Sequence, residues 1–179
     1  MIAKTLPILG LLQELFQVDK TSPSGLTWKK PRSKKLKPGD VAGYKTKRGY
    51  WMIGINNPTP QNYLVHRIVW FLFTETDPQE YLIDHIDQDP SNNSTQNLRL
   101  STHKTNKLNR QKPKSKKAKS KYKGVALETK TNKWYAKIQY LGERYYLGMF
   151  NNEIAAAKAY DQKAKSFKCP FVSLNFPNE

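Results

Sequence analysis

Residues 81–106 read Tyr-Leu-Ile-Asp-His-Ile-Asp-Gln-Asp-Pro-Ser-Asn-Asn-Ser-Thr-Gln-Asn-Leu-Arg-Leu-Ser-Thr-His-Lys-Thr-Asn. A short apolar strand, Tyr81–Ile83, delivers the pair Asp84-His85. A polar, Asn-rich loop follows, Leu98–Ser101 returns as a second short strand, and Thr102–Asn109 reads as a helix. Successive side chains on a strand point to opposite faces, so Asp84 and His85 reach a common atom only through a bend at the strand end. A strand terminus therefore suits such a pair, each member with its own partner. Asp87 and Asp89 read as turn residues, because a short carboxylate bonds its own backbone.

These residue types suit phosphodiester cleavage. That reaction needs a base for water, a cation for the charge growing on the phosphate, and rigid elements holding both. His85 can take a proton near neutral pH. Asp84 offers a hard oxygen to Mg²⁺ or Mn²⁺, and Asn106 on the helix offers a second from its amide. A lone Asp-His pair is more often a surface accident; the weight comes from Asn97, Asn106 and the basic surroundings. His66 reads as a packing or capping residue before an apolar helix, with a supporting contact to the site as the rival. His103 reads as a phosphate contact.

Composition points the same way. The chain has 179 residues, room for one ordinary domain or two small ones. Its 31 basic and 14 acidic residues leave a net charge of +17, which repels itself unless a polyanion neutralises it. Nucleic acid is the expected partner. There is no basic amphipathic helix of the kind that lies on membranes. The apolar run Leu6–Phe16 is interrupted by Gln13 and Glu14 and is too short to span a bilayer. Cys169 stands alone, so it makes no internal disulfide or zinc knuckle. A soluble, intracellular protein is expected.

Three stretches follow from charge. Residues 1–110 are mixed and aromatic, with a hairpin expected from Glu14–Asp19 and Leu26–Lys30 around Ser-Pro-Ser-Gly, strands at Tyr50–Ile55 and Asn62–Val65, and a short helix at His66–Thr74. His103–Lys123 carries ten basic residues and no acidic one. Its core, Arg110–Lys121, cannot bury anything and reads as a solvated linker or as a strap along phosphates. The phosphate-contact candidates are Arg99, Lys104, Lys107, Arg110, Lys112, Lys114, Lys116 and Lys117. Beyond it, Tyr122–Glu128, Lys133–Tyr140 and Glu143–Phe150 read as three antiparallel strands, the second with strict period two at Trp134, Ala136, Ile138 and Tyr140. Asn152 then caps a helix, Glu153–Ser166, rich in small alanines. One sheet face packs on that helix; the other is expected to show Lys123, Lys137, Arg144 and neighbouring aromatics.

The run Ile83-Asp84-His85, the Asn-rich loop, Asn97-Leu98-Arg99 and Ser101-Thr102 before a helix with Asn106 resembles the HNH family of ββα-metal endonucleases, especially those of phages and mobile introns. Val65-His66-Arg67 and Leu26-Thr27-Trp28 add to the likeness, which covers roughly residues 10–110. The resemblance implies that His85 is the general base, that Asp84 and Asn106 hold one divalent metal, Mg²⁺ or Mn²⁺, and that Asn97 braces the loop and orients His85 by hydrogen bonds. Asn93 is a lesser member of the loop. The family usually carries a Gly where Gln88 or Asp89 stands; this chain reads Asp87-Gln88-Asp89-Pro90, a longer or stiffer turn.

Lys121-Tyr122-Lys123-Gly124-Val125, Lys133-Trp134-Tyr135-Ala136, Tyr146-Leu147-Gly148-Met149-Phe150, Ile154-Ala155-Ala156-Ala157-Lys158-Ala159-Tyr160-Asp161 and Leu174-Asn175-Phe176 resemble the Apetala-two/ethylene-response-factor DNA-binding domain across nearly all of 120–177. That family lays a three-stranded sheet in the major groove. Carried over, the DNA contacts are Lys123, Trp134, Lys137, Arg144 and Tyr146, with a packed sheet face as the rival for Trp134 and Tyr146. Arginines are scarce on these strands, so phosphate anchoring is expected more than base reading.

The expected fold is α+β: a small β-rich region with a ββα-metal module at 1–109, a basic linker at 110–121, and a three-stranded antiparallel sheet with one helix at 122–179. The expected function is a metal-dependent DNA nickase of the homing or phage type acting on double-stranded DNA, as a monomer or, for double-strand breaks, a dimer. A DNA-binding regulator with an inactive nuclease module is the alternative. An RNA-binding protein using aromatics and lysines is the third reading.

Overall fold

The computed structural model describes residues 5–31, 33–56, 58–110, 112 and 119–179. Lys114, Lys116 and Lys117 lie outside the described residues. The fold is α+β, and its residues group into two compact units, one ending at His103 and the other starting at Lys104.

In the first unit α1 (Leu9–Leu15) buries Leu12 and Leu15, one turn apart, while Gln13 and Glu14 face out. The apolar run that looked merely interrupted is thus an amphipathic helix. It leads straight into β1 (Phe16–Val18), which pairs with β2 (Leu26–Trp28) in a shorter hairpin than expected. Strands β3 (Tyr44–Lys45), β4 (Trp51–Asn56) and β5 (Pro60–Leu64) form an antiparallel sheet in that order. Then α2 (Val65–Thr74) buries Val65, Ile68 and Val69 at helical spacing among Leu12, Leu15 and Leu26. It stops at Glu75, which adopts φ +54. The decisive stretch is an antiparallel pair, β6 (Leu82–His85) and β7 (Leu98–Ser101), in the register Leu82↔Ser101, Ile83↔Leu100, Asp84↔Arg99, His85↔Leu98. The short helix α3 (His103–Asn109) follows.

The second unit holds β8 (Val125–Glu128), β9 (Lys133–Tyr140) and β10 (Glu143–Phe150) in the order β10-β9-β8, with α4 (Glu153–Ser166) across one face. The Asn152 carboxamide oxygen caps α4, accepting from the Ile154 amide at 2.7 Å. Val125, Ala136 and Ile138 face Ala156, Ala157, Tyr160 and Ala164. The small alanines let helix and sheet approach closely. Ile154, in the first turn of α4, is exposed. A bulge at Leu147 shifts the β9–β10 register and keeps Leu147 and Phe150 on the helix side. Asp161, buried in α4, accepts the backbone amides of Asn175 and Phe176 and so ties down the segment after the helix.

Three expected DNA contacts are engaged within the protein. Trp134 shares parity with Ala136 and Ile138, and it packs in the core with Phe150, so the helix side and not the groove side receives it. Lys123 points its ammonium inward, donating to the Leu108 carbonyl at 2.5 Å and the Ser173 hydroxyl at 2.7 Å. Burial pulls its pKa down to about 8. Lys112 likewise donates to the Val125 carbonyl at 2.7 Å.

Gly124 has φ +74, and a Cβ there would overlap the Tyr160 ring. Gly124→Ala is expected to destabilise the second unit by about 3 kcal/mol, from strain and overpacking together. Urea unfolding followed by tryptophan fluorescence of Trp134 measures this; a loss below about 1 kcal/mol would show that the Tyr160 ring gives way.

Candidate functional site

Entry into β6 is set by Arg67 on α2. Its guanidinium donates to the carbonyls of Tyr81 and Gln79, both at 2.7 Å. Five fixed donors make Arg suited to clamping two carbonyls of one loop. The strand then presents Asp84 and His85, each 6% exposed, to opposite sides.

Asp84 meets Arg99, its cross-strand partner. Arg99 Nε donates to Asp84 Oδ2 at 2.9 Å, and a second guanidinium nitrogen lies 2.8 Å from the same oxygen. Arg99, expected on DNA, is thus a partner of the expected metal ligand. Removing one member of so sheltered a pair strands the other charge.

His85 meets Asn93. The Nε2···Oδ1 distance is 3.0 Å, and Asn93 Nδ2 donates to the Ser24 carbonyl at 2.9 Å. A carbonyl only accepts, so the second bond fixes which way the amide faces. Asn93 therefore shows its oxygen to His85, and Nε2 must donate. In the neutral ring the accepting lone pair then sits on Nδ1. Sequence reasoning gave this orienting task to Asn97 and ranked Asn93 lower. Asn97 does the other task expected of it, bracing the loop. Its side-chain oxygen accepts from the Asp87 amide at 3.0 Å, and its side-chain nitrogen donates to Asp87 Oδ1 at 2.9 Å and the Asn92 carbonyl at 2.8 Å. Asp87 and Asp89 are turn residues, accepting from the amides of Asp89 and Ser91, both at 2.9 Å. Gln88 adopts φ +68, the left-handed conformation that explains a Gly in this turn.

Two rings flank His85. His66 stands edge-on, with centroids 5.0 Å apart, and Tyr50 lies 6.2 Å from His85 and 5.8 Å from His66. His66 is buried with Nδ1 lacking a hydrogen-bond partner among the described residues. Burial pushes its pKa down to about 3, with repulsion from His85 and Arg67 adding to it. The supporting-contact reading of His66 matches its place against His85. Tyr50 was missed; its aromatic neighbours in Tyr50-Trp51 carry no signal of a site.

Asn106 is half-buried on α3, in the second unit. Lys104, Lys107 and Arg110 are exposed, as are Lys137, Arg144 and Tyr146 on the sheet face away from α4. Tyr135 and Gln139 share that face by parity, and Tyr135 lies under the Lys137 ammonium, 5.5 Å from its ring centre.

Among the described residues no group of three or more His, Cys, Asp or Glu could hold a metal alone. The donor chemistry still fits one hard divalent cation. Asp84 supplies a sheltered carboxylate at a spot already shaped around positive charge. Mg²⁺ takes only one or two protein carboxylates and leans on water and substrate phosphate for the rest.

Residues 63–108 match the HNH endonuclease family. The chain thus carries an HNH endonuclease domain around the Asp84-His85 strand. It is 42% identical over 78 residues to the Bacillus subtilis protein named "SPbeta prophage-derived putative HNH homing endonuclease YosQ", covering 42% of this chain and 44% of that protein. It is 39% identical over 70 residues to the AP2-like ethylene-responsive transcription factor TOE2 of Arabidopsis thaliana, covering 39% of this chain and 14% of that protein. It is 39% identical over 57 residues to APETALA2-like protein 2 of Oryza sativa subsp. indica, covering 32% of this chain and 13% of that one. The chain spans less than half the length of each. No solved structure matches it. No helix among the described residues is long and apolar enough to cross a membrane.

Two outcomes are expected. In ¹⁵N NMR of labelled histidine above pH 7.5, His85 is the Nε2-protonated tautomer, and Asn93→Ala abolishes that preference; an Nδ1-protonated ring in the unaltered protein would reverse the hydrogen-bond assignment. His66 is held neutral in the fold, with a pKa of about 3 against an ordinary 6.5. Its depressed value means the unfolded chain takes the proton first. Stability is therefore full above pH 6.5 and falls toward pH 3, by about 1.4 kcal/mol per pH unit. Urea unfolding at several pH values shows this slope, and His66→Gln flattens it.

Proposed function

We propose that the chain is a metal-dependent HNH endodeoxyribonuclease that nicks double-stranded DNA. The observation that carries this reading is the His85–Asn93–Ser24 chain of hydrogen bonds, which fixes the imidazole with Nε2 as the donor. His85 takes the proton of the attacking water at Nδ1. Asp84 would hold the cation, Mg²⁺ or Mn²⁺. When bound, that ion neutralises charge on the cleaved phosphate and its leaving oxygen. Asn97 keeps the loop closed around the base.

The division of labour follows the sequence: a nuclease domain at 1–109, a basic linker at 110–121 that follows the phosphates through Lys114, Lys116 and Lys117, and a DNA-anchoring domain at 122–179. On the last, the face bearing Lys137, Arg144 and Tyr146 meets the duplex, with Tyr135 beside them. One active site per chain cuts one strand, as a monomer; a double-strand break takes two chains. The protein acts inside the cell, where its DNA is. The regulator reading draws on one observation, the Arg99 guanidinium already seated on Asp84.

The test is supercoiled plasmid with Mg²⁺, with EDTA, and with His85→Ala. Open circles that require the metal are expected, with a roughly 10²–10⁴-fold slower rate in the variant. Tight binding without cleavage under several divalent metals sinks the nuclease reading and favours the regulator.

A further inference from the structure

The turn between β3 and β4 is a basic element that leads into Tyr50, whose ring lies against His85. It reads Lys45-Thr46-Lys47-Arg48-Gly49-Tyr50, and Lys45, Lys47 and Arg48 are all exposed. We infer that this turn grips DNA-backbone phosphates for the catalytic unit, through Lys47 and Arg48 at its tip. The inference rests on the nuclease reading for its substrate.

Surface lysines are mostly just solvated. Three features set this turn apart. The first is place. Tyr50 at its base has its ring 6.2 Å from His85. Gly49 presses on the catalytic loop, since a Cβ there would lie 3.0 Å from Pro90 Cγ. The Asp89 carboxyl, held low first by its bonds from Ser91, is lowered further by Lys45 and by His85. Turn, loop and base therefore share one neighbourhood within the first unit.

The second feature is stiffness. The Gly49 amide donates to the Thr46 carbonyl at 2.9 Å, and the Thr46 amide to the Tyr50 carbonyl at 2.8 Å. Gly49 sits at φ +88, closing a three-residue hairpin loop with Lys47 and Arg48 at its corners. Their backbone is already ordered, so binding costs only side-chain freedom. The third feature is unspent charge. Asp87 and Asp89 are engaged with their own loop, and neither Lys47 nor Arg48 has a salt bridge among the described residues. Two adjacent cations on a rigid corner beside a base match the phosphates flanking a bond to be cut.

The test uses the full chain and a fluorescently labelled DNA duplex in EDTA, titrated across roughly 50 to 200 mM salt. Each phosphate contact contributes about 0.9 to the slope of log affinity against log salt, so K47A/R48A should lower that slope by about 1.8. K47R/R48K, which keeps both charges, should retain it. K34A/K35A removes equal charge from another exposed loop and should leave it unchanged. An unaltered slope in K47A/R48A, or an equal fall in K34A/K35A, overturns the inference. Plasmid nicking by the unaltered protein in Mg²⁺ judges the nuclease reading separately. Lost slope without nicking refutes the nuclease and leaves the phosphate contact standing; nicking with an unaltered slope does the reverse.

Discussion

Strand alternation governs this site. Two adjacent residues on a short strand face apart, so a buried Asp and a buried His at positions 84 and 85 cannot share one partner. Each needs its own support, and each has it. Asp84 is met from directly across the ladder by Arg99, and His85 from the loop by Asn93. A slip of the β6–β7 register by one residue would exchange both environments. The two ends of the ladder are accordingly held. Arg67 grips the chain entering β6, and Asn97 closes the loop leaving it.

Net charge alone proved a poor guide to which lysines are available to DNA. Lys123 and Lys112 sit in the part of the chain richest in positive charge, yet both spend their ammonium groups on backbone carbonyls. The helix end at Leu108 and the turn into β8 need donors, and a long aliphatic stem reaches them while burying apolar surface. Arg99 is drawn inward too, by a carboxylate. Exposed charge includes that on α3, on the outer face of β9 and β10, and on the β3–β4 turn.

Much of the fold was legible because period and punctuation were strong. The alternation in 133–140 defines β9 with its observed bounds, Asn152 marks the start of α4, and Leu98–Ser101 is the strand expected. The α1 helix was not, because only Leu12 and Leu15 mark its buried side and two polar residues lie between them. A two-residue strand such as β3 leaves no pattern at all. At the site, the pair Asp84-His85 was visible but its wiring was not. Asn92, Asn93 and Asn97 are the same residue type in one loop, and only the folded loop decides which one faces the imidazole. The Ser24 carbonyl that orients Asn93 is a backbone group, which every residue possesses, and no side-chain motif can announce it. Trp134 is the opposite case. Its parity with Ala136 and Ile138 already placed it under the sheet, and family likeness had pulled it to the wrong face.

The reach of Asn93 to Ser24 spans 69 residues. The stretch that matches the HNH family begins at Tyr63, so the carbonyl that turns Asn93 toward His85, and Tyr50 beside that imidazole, lie outside the motif by which the site is recognised. The motif is therefore not a portable part. Grafted onto another scaffold, residues 63–108 would carry every side chain of the Asp-His-Asn set and yet leave the amide free to turn over, with the imidazole choosing its own tautomer. The working unit of inheritance is the hairpin, the sheet and the finger together.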